Sequence, residues 1–559
     1  MGKQFKLTLA LTTSLMMLGS AGMASANDSN SVVLEKYNVS SDHCLGCGPV
    51  KLESEADFAN YLSDARGELA QRILDKGAKF PATQDPLTRI LERLGTQVVY
   101  LDFTPDSPTF PVCRLGPDGA PVGLFGIFND HIYTQEERDN IQRKIERDYA
   151  DFNFAFTQTE PQFGDFTTIT LAQNDAPTDC SEGSNIQITA NGGISVLFGR
   201  AEEIDFGNRN KSNTAFTDVS IWEFLGQFNN GAFFEIFANL DVAEDFGGDL
   251  NAAISFAVEN QGANTGAHEL GHTLGLRHQN SFGAPGDGLP NTGAISPFDF
   301  VPVFEGLSEA DETILHTMAS GASVGLPFDG GVNLNRFFSE RSATRLAINE
   351  NINRLKINGD RRAAKGKSRV NLRSVYVPNT IIEGQNEDAI LKTDAAVVEA
   401  SISAIDETDS YTIRARKGDF INAEIIPVIA TGQDFQEGVL GQLRVFRVNK
   451  DGTEEFVGSN LRSFESLFDT EVFDIEVPSN GTYRIEVTAP DEVFIADFDG
   501  DGIIDPVSLT AAGVPELQVG EYSLLIFTSN IKMGKGEKFA ELQKRLEERM
   551  AAVEERARR

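Results

Sequence analysis

The sequence has few of the residue types on which several common classes of protein depend. It contains six histidines, four cysteines and one tryptophan in 559 residues, and no long apolar run follows the N-terminus. Because a membrane-spanning helix needs about 20 apolar residues, none is expected in the mature chain. Basic residues are also scarce, 48 against 83 acidic ones, which gives a formal net charge of −35. This charge opposes nonspecific binding to nucleic acid and to anionic membranes.

One short apolar stretch at the N-terminus stands apart. Lys3 and Lys6 precede "LTLALTTSLMMLGSAGM", and "ASA" at residues 24–26 supplies the small residues typical of a cleavage site. We therefore interpret residues 1–26 as a secretory signal peptide and expect a secreted or periplasmic protein. A membrane anchor is the alternative, which the short stretch and its cleavage signal disfavour.

The chain is too long for a single hydrophobic core and is expected to form three or four units. Strands that alternate with amphipathic helices predict an α/β unit, and short alternating strands with turns predict an all-β sandwich. The basic stretch "NGDRRAAKGKSR" (358–369) between them predicts a linker. The expected order is a signal peptide (1–26), a propeptide-like segment (27–95), the α/β unit (96–360), the β-sandwich (370–530) and a charged helical tail (531–559).

Individual segments carry the periodicity that predicts each element. In the α/β unit, strands are expected at "TQVVYLDFTP", "DFTTITLA", "GISVLFG" and "NTAFTDVSIW", and an amphipathic helix at "ERDNIQRKIERDYADF". In the β-sandwich, strands are expected at "DSYTIRARKGDF", "GQLRVFRV", "GTYRIEV" and "GEYSLLIF".

Three of the six histidines lie together in "AHELGHTLGLRH". On a helix, His268 and His272 project from the same face, so both imidazoles can reach one metal ion. Glu269 lies on the neighbouring face, where it can hold a water molecule. Gly275 can adopt the left-handed conformation that ends a helix, which lets His278 approach from another direction. Three histidine nitrogens and one open position are typical of a catalytic zinc site.

These residues match every defined position of HExxHxxGxxH, the signature of the metzincin clan of zinc metallopeptidases. The chain resembles that clan over about residues 96–360, and the resemblance implies a metzincin-like α/β catalytic domain. It also implies a methionine turn beneath the metal, for which Met318 in "HTMASG" is the candidate, and a closing helix in "SERSATRLAINENINRL". Ser320 stands where astacins and serralysins carry a tyrosine, so assistance by a tyrosine is not expected. In the clan a substrate pairs with an edge strand, expected here within residues 193–216.

The predicted reaction is peptide hydrolysis without a covalent intermediate. Zinc lowers the pKa of its bound water to near 7, and Glu269 would accept the proton and pass it to the leaving amine. The expected partners are protein or peptide substrates, with no nucleic acid and no stable membrane insertion; the oligomeric state stays open. The alternative is a secreted binding or adhesion protein on an inactive metzincin scaffold, against which the intact Glu269 argues.

Export makes the four cysteines candidates for disulfides. Cys113 and Cys180 both fall in the α/β unit and are the favoured pair. Cys44 and Cys47 lie in "HCLGCGPV", before that unit. For them a local disulfide, an inhibitory thiol on the zinc, and cross-pairing with the other cysteines all stay open.

The β-rich region resembles a bacterial pre-peptidase C-terminal domain in "DETDSYTIRARKGDF" and "NGTYRIEV". Within it, "DFDGDGIID" supplies residues for positions 1, 3, 5 and 9 of an EF-hand-like calcium loop: Asp497, Asp499, Asp501 and Asp505. Position 12 is Ser508 instead of a bidentate glutamate. A structural calcium site and an unoccupied acidic turn therefore both stay open.

The remaining histidines show no ligand pattern. His43 and His131 are isolated in the sequence, and surface or satisfied core positions are expected for them. His316, although close to Met318, is expected to be structural.

Overall fold

A computed structural model of the chain describes residues 97–104, 108–117, 119–149, 152–161, 164–171, 180, 184–202, 204–205, 207–231, 233–276, 317–318, 332, 336, 338, 340–359, 368–377, 389–405, 407–427, 439, 441–459, 461–462, 470–489, 492–496, 505–508 and 519–533. The predicted signal peptide and propeptide-like segment lie outside these residues, as does the predicted tail beyond residue 533. No helix within the described ranges is long and apolar enough to cross a membrane.

The described residues from 97 to 355, here called the N-terminal unit, combine short strands with helices. The strands are β1 (Gln97–Asp102), β2 (Thr109–Leu115), β3 (Pro121–Asn129), β4 (Phe154–Thr157), β5 (Phe166–Thr170), β6 (Ile186–Ile188), β7 (Ile194–Val196), β8 (Gly199–Ala201) and β9 (Thr214–Thr217). The helices are α1 (Gln135–Asp148), α2 (Ser220–Gln227), α3 (Phe234–Ala238), α4 (Val242–Asp245), α5 (Leu250–Thr273), α6 (Glu340–Glu350) and α7 (Ile352–Leu355), with a 3-10 turn at Phe228–Gly231.

Two sheets organise this unit. The first has the order β4-β1-β5-β9-β8, in which β8 is antiparallel to β9 and the other pairs are parallel. The second has the order β3-β2-β6-β7. Cys113 on β2 forms a disulfide with Cys180. The favoured cysteine pairing is therefore present.

Helix α5 packs against the first sheet and against α1. Its N-cap residue, Asp249, accepts hydrogen bonds from two backbone N–H groups of the first turn, which a helix start otherwise leaves unsatisfied. Two glycines one turn apart let α1 approach closely. A Cβ atom on Gly262 would lie 3.3 Å from Ile141 Cδ1, and one on Gly266 would lie 3.1 Å from Ile145 Cδ1. The small residues thus set the distance between the two helices.

The described residues from 356 to 533, here called the β unit, are almost entirely strands. They are β10 (Lys356–Asn358), β11 (Ser368–Arg369), β12 (Arg373–Tyr376), β13 (Ala389–Ile402), β14 (Thr408–Ala415), β15 (Phe420–Pro427), β16 (Gln442–Val448), β17 (Glu454–Ser459), β18 (Leu461–Arg462), β19 (Thr470–Glu476), β20 (Gly481–Thr488), β21 (Glu492–Ala496), β22 (Asp505–Ser508) and β23 (Gly520–Met533). The described chain as a whole is therefore rich in β-sheet, with few helices.

Two sheets of the β unit share one core. The inner sheet has the order β10-β13-β23-β15-β19-β18, with β12 also paired to β13, and the outer sheet has the order β11-β14-β20-β16-β17. Buried side chains from both sheets, among them Val398, Tyr411, Ile485 and Leu524, form a single cluster. Strands β21 and β22 pair with each other.

The inner sheet is buried on both of its faces. On β13, Val398 belongs to the core between the two sheets, whereas Ala395 and Val397 belong to the core of the N-terminal unit. On β23, Leu525 and Phe527 join that same N-terminal core. A strand that is buried on both faces needs apolar residues at nearly every position. This explains the continuous apolar runs "AAVV" in β13 and "LLIF" in β23.

One predicted strand is partly wrong. The segment "NTAFTDVSIW" was expected to be extended, but β9 ends at Thr217 and α2 begins at Ser220. Ser220, Ile221 and Trp222 are all buried. The predicted strand includes only the first three residues of this helix, which are too few to show a helical period, and their buried apolar side chains imitate a strand.

The predicted linker begins and ends in strands of the β unit. Residue 358 closes β10, which pairs with β13 in the inner sheet, and residues 368–369 form β11 in the outer sheet. The Gly359 N–H also donates to the Glu399 carbonyl. Residues 360–367 lie outside the described part. The stretch therefore connects two sheets of one unit, and residues 356–358, predicted to belong to the α/β unit, join the inner sheet.

Candidate metal centre

The end of helix α5 carries two of the three histidines predicted to bind zinc. His268 and His272 are one turn apart, and their Nε2 atoms lie 3.1 Å from each other. The exposed fraction is 3% for His268 and 0% for His272. Both rings therefore converge on one point inside the protein.

Backbone carbonyls hold the other nitrogen of each ring. Nδ1 of His268 lies 2.7 Å from the carbonyl oxygen of Thr317, and Nδ1 of His272 lies 2.9 Å from that of Leu276. Because a carbonyl oxygen only accepts hydrogen bonds, each Nδ1 carries the hydrogen and donates it. In neutral imidazole this leaves a lone pair on Nε2, which is the form that binds a metal.

The convergence of the two Nε2 atoms fits a shared metal ion. Two lone pairs that face each other at 3.1 Å repel, and a cation between them removes the repulsion. Zinc–nitrogen bonds of the usual length at a tetrahedral angle place two ligand nitrogens about 3.3 Å apart. His278 lies outside the described residues, and no group of three or more His, Cys, Asp or Glu side chains within those residues could hold a metal. The structure thus brings together two of the three predicted ligands.

Glu269 lies against the edge strand β8 and is fully buried. A Cβ atom on Gly199 would lie 2.5 Å from Glu269 Oε1 and 2.7 Å from its Cγ. No larger residue fits at position 199 unless the Glu269 side chain moves. Gly199 therefore lets the strand backbone approach the carboxylate, a role that the sequence alone did not reveal.

Strand β8 lies at the edge of its sheet, within the range where the sequence predicts a substrate-binding strand. The Phe198 carbonyl and the Glu202 N–H both bond to residues on or directly beyond β9. Because backbone direction alternates along a strand, the polar backbone groups of Gly199 and Ala201 point away from β9, toward the outer edge.

Met318 lies beneath the two histidines. It is fully buried, and its Sδ atom would lie 2.4 Å from a Cβ atom on Gly271, between the two histidines along the helix. The residue before it, Thr317, supplies the carbonyl that accepts from His268. One turn of chain thus packs against the helix and fixes the ring of one histidine.

Each backbone carbonyl in the last turn of α5 accepts a hydrogen bond. Gly275 has a φ of 87°, in the left-handed region. Its N–H donates to the His272 carbonyl, and the Leu276 N–H donates to the Gly271 carbonyl, which is the Schellman pattern. The Leu270 carbonyl accepts from Thr273 Oγ1 and the Thr273 carbonyl from Asn213 Nδ2. These bonds place the Leu276 carbonyl where His272 needs it, in what we call the metal turn (residues 272–276).

A second buried cluster surrounds His131. Its ring nitrogens lie 3.3 Å from Glu137 Oε1 and 2.9 Å from Glu223 Oε1, and Ser255 donates to Glu137. Burial alone would lower the pKa of His131, but the hydrogen bonds to both carboxylates outweigh it and raise the pKa to about 9. Burial would raise the pKa of Glu137, but the hydrogen bonds from His131 and Ser255 outweigh it and lower the pKa to about 2. His131 thus forms ion pairs with Glu137 on α1 and Glu223 on α2, and Ser255 links the same cluster to α5.

Several predicted site residues lie outside the described residues: His278, His316, Ser320, Cys44, Cys47, Asp497, Asp499 and Asp501. Asp505, the last predicted calcium ligand, begins strand β22. The zinc and calcium sites therefore stay predictions.

The supporting groups of the metal turn were not found by sequence reasoning. They are Thr317, Leu276, Asn213 and Asn349, of which the last donates to the Leu274 carbonyl at 2.7 Å. Two of them act through backbone carbonyls, which every residue has. No pattern of side chains could therefore have indicated these two, and the two asparagines reach the turn from distant parts of the sequence.

Comparisons with known proteins give weak likenesses only. No protein-family model and no curated protein matches the chain. Among solved structures, the pre-peptidase C-terminal domain of a collagenase from Bacillus anthracis is similar to it, with 11% identity, a TM-score of 0.14, and coverage of 24% of this chain and 88% of that one. PliG, a periplasmic inhibitor of g-type lysozyme from Aeromonas hydrophila, is 13% identical, with a TM-score of 0.13, and the match covers 25% of this chain and 86% of that one. A serine protease of Aeromonas sobria is 12% identical, with a TM-score of 0.15, and the match covers 37% of this chain and 44% of that one.

These TM-scores are too low to carry an argument about activity. The similarity of the β-rich region to a pre-peptidase C-terminal domain, indicated by the sequence, therefore stays a prediction. The chain spans less than half of the serine protease, a hydrolase of a different catalytic type. The metzincin resemblance stays a prediction.

Proposed function

We propose that the chain is a secreted zinc-dependent metalloendopeptidase with a metzincin-like catalytic domain. His268, His272 and His278 would hold the zinc, which supplies a polarised carbonyl and a bound water of lowered pKa. The observation that carries the proposal is the pair of Nε2 atoms 3.1 Å apart, each on a ring whose Nδ1 donates to a backbone carbonyl. This arrangement presents two lone pairs to one point and fixes both rings before any ligand arrives.

Glu269 is the general base in this proposal. Its backbone follows that of His268 directly, and its carboxylate is buried beside strand β8. There it accepts the proton of the attacking water and returns it to the leaving amine. In this proposal Glu269 acts on the water and is not a ligand.

Strand β8 binds the substrate backbone in this proposal. The outward N–H and C=O groups of Gly199 and Ala201 pair with an extended peptide, which then runs past Glu269. Main-chain pairing of this kind does not require a chain end. It therefore favours cleavage within a chain.

The proposal is tested by two variants of the full-length protein. Glu269→Gln keeps the shape of the side chain but accepts no proton, so zinc should stay bound while turnover falls at least about a hundredfold. His272→Ala removes a ligand, so both zinc and activity should be lost. Zinc is measured by elemental analysis, and cleavage by identifying new termini in a denatured proteome with and without chelator.

Glu455→Gln is the matched control, because Glu455 is exposed on β17 and pairs only with a surface arginine in the described contacts. It should retain both zinc and turnover. Full zinc in His272→Ala would contradict the ligand assignment. Equal inactivity of wild type and Glu269→Gln on every protein substrate would favour a binding or adhesion protein on an inactive scaffold.

A further inference from the structure

The inner sheet of the β unit carries two polar residues on the face that it presents to the N-terminal unit. Glu424 on β15 pairs with Leu525, and Ser523 lies two residues before Leu525 on β23. Side chains at these positions share the face of Leu525, which belongs to the core of the N-terminal unit. Both residues are at least 98% buried.

Glu424 is connected to the metal turn through helix α6. It forms an ion pair with Arg345, and both side chains are almost fully buried. Four residues further along α6, and so on the same face, Asn349 donates to the Leu274 carbonyl at 2.7 Å. One helix therefore contacts the inner sheet at one point and the metal turn at the next.

Ser523 is connected to the same turn through the chain between β8 and β9. Arg209 in that segment donates to Ser523 Oγ at 2.8 Å. The segment also donates to the end of α5, from the Asp205 N–H to the His272 carbonyl at 3.3 Å and from Asn213 Nδ2 to the Thr273 carbonyl at 3.2 Å. A second, independent route thus joins the inner sheet to the residues around His272.

We propose that the β unit positions the metal turn, with Glu424, Arg345 and Asn349 as positioning residues. The proposal rests on the proposed zinc peptidase function for its consequence, but its structural content does not depend on it. Replacing the Glu424 carboxylate with an amide removes the charge with which Arg345 pairs, so α6 should shift on the inner sheet. Asn349 would then no longer donate to the Leu274 carbonyl. The Leu276 carbonyl would move away from the position in which it accepts the hydrogen bond from His272.

The test uses the full-length protein and the variants Glu424→Gln and Asn349→Ala. Each should weaken zinc binding about tenfold, the usual cost of losing an outer-shell partner, as measured by competition with a chromophoric chelator. The double variant should lose little more than the larger single loss, because both residues act along one route. In the absence of metal, amide hydrogen exchange at Gly275 and Leu276 should accelerate in each variant.

Asp409→Asn is the matched control. Asp409 is buried in the β unit, where it accepts from Tyr522 and Tyr411, and so lies in the core between the two sheets. The Asp409→Asn substitution should lower the melting temperature while leaving the zinc affinity within about twofold of wild type.

Unchanged zinc affinity and unchanged exchange in Glu424→Gln would overturn the proposal, as would an equal loss of affinity in Asp409→Asn. If Glu424→Gln fails to fold, Asn349→Ala, whose substitution lies in the N-terminal unit, decides by the same readouts. If the wild type binds zinc but cleaves nothing, the proposed function fails while this proposal stands. If the wild type binds no zinc, the exchange rates at the metal turn decide alone.

Discussion

The N-terminal unit and the β unit differ in the chemistry that their sequences carry. All six histidines and all four cysteines lie within the first 316 residues, and the chain beyond has none. In the N-terminal unit, buried amides and carbonyls hold the backbone around His272. In the β unit, the buried polar group formed by Asp409, Tyr411 and Tyr522 bonds within itself. The described disulfide and the histidine pair therefore lie in the first unit, and the second contributes apolar residues of β13 and β23 to the core of the first.

The disulfide should produce the largest difference in stability between the two units. Cys113 and Cys180 are 67 residues apart, and a cross-link over that distance stabilises by about 4 kcal/mol in the chain-entropy model. The double variant Cys113→Ser/Cys180→Ser should lower the free energy of unfolding of the N-terminal unit by about that amount. Hydrogen exchange followed by mass spectrometry separates the two units. Equal destabilisation of both would show that they unfold as one body.

Gly199→Ala should separate catalysis from metal binding within the N-terminal unit. The added Cβ would lie 2.5 Å from Glu269 Oε1, so the carboxylate must move while the histidines stay in place. Turnover should fall about a hundredfold, because small displacements of a catalytic group have effects of this size, with zinc content unchanged.

The control for that substitution is Gly481→Ala in the β unit, where the nearest atom to the new Cβ is 3.8 Å away. It should leave turnover unchanged. Wild-type turnover in Gly199→Ala would show that the strand does not constrain Glu269, and a loss of zinc would show that the displacement reaches the ligands.

The His131 cluster should give the N-terminal unit a pH dependence of its own. Hydrogen bonds to Glu137 and Glu223 overcome burial and raise the pKa of His131 from 6.5 to about 9, so its contribution is complete below pH 6.5 and is lost as the pH rises through 9. Glu137, with its pKa lowered from 4.5 to about 2, contributes above pH 4.5 and loses its contribution as the pH falls through 2. Burial, aided by the charge of Asp218, raises the pKa of Asp130 from 3.8 to about 7, so stability falls as the pH rises from 3.8 to 7 and this loss stays constant above pH 7.

Above pH 7, the change within this cluster comes from His131. The melting temperature of the N-terminal unit should fall between pH 7 and pH 9 in the wild type, and the fall should be smaller in His131→Gln. If the melting temperature falls equally with pH in the two proteins, His131 is not charged in the folded state.

Calcium should have the smallest effect, confined to the β unit. The acidic residues of "DFDGDGIID" repel one another without a cation, and binding to the folded state raises stability by about 0.4 kcal/mol when the calcium concentration equals the dissociation constant. Melting of the wild type should rise slightly with calcium and that of Asp499→Ala should not. An identical rise in both would place the ion elsewhere.

The sequence predicted elements well where a local pattern carries the information. The helix that became α1 shows its apolar spacing in Ile141 and Ile145, and Gly275 marks the end of α5 by its lack of a Cβ atom. By contrast, the start of α2 was missed because Ser220, Ile221 and Trp222 directly follow a strand and are too few to show a helical period.

The residues that position the candidate site could not have been predicted in the same way. Thr317 and Leu276 act through their backbones, and Arg345 meets Glu424 only after the chain has brought together residues 79 positions apart. A single sequence shows which side chains can bind a metal. It does not show which distant groups will hold them.

The position of β23 in the inner sheet determines when that sheet can form. β23 (Gly520–Met533) lies between β13 and β15, so the inner sheet cannot close until residues 520–533 have been synthesised. Contacts of such long sequence separation form late in folding. Ser523 and the apolar face of Leu525 and Phe527 therefore reach the N-terminal unit last. Until β23 has paired, the N-terminal unit therefore lacks the part of its core that Leu525 and Phe527 supply.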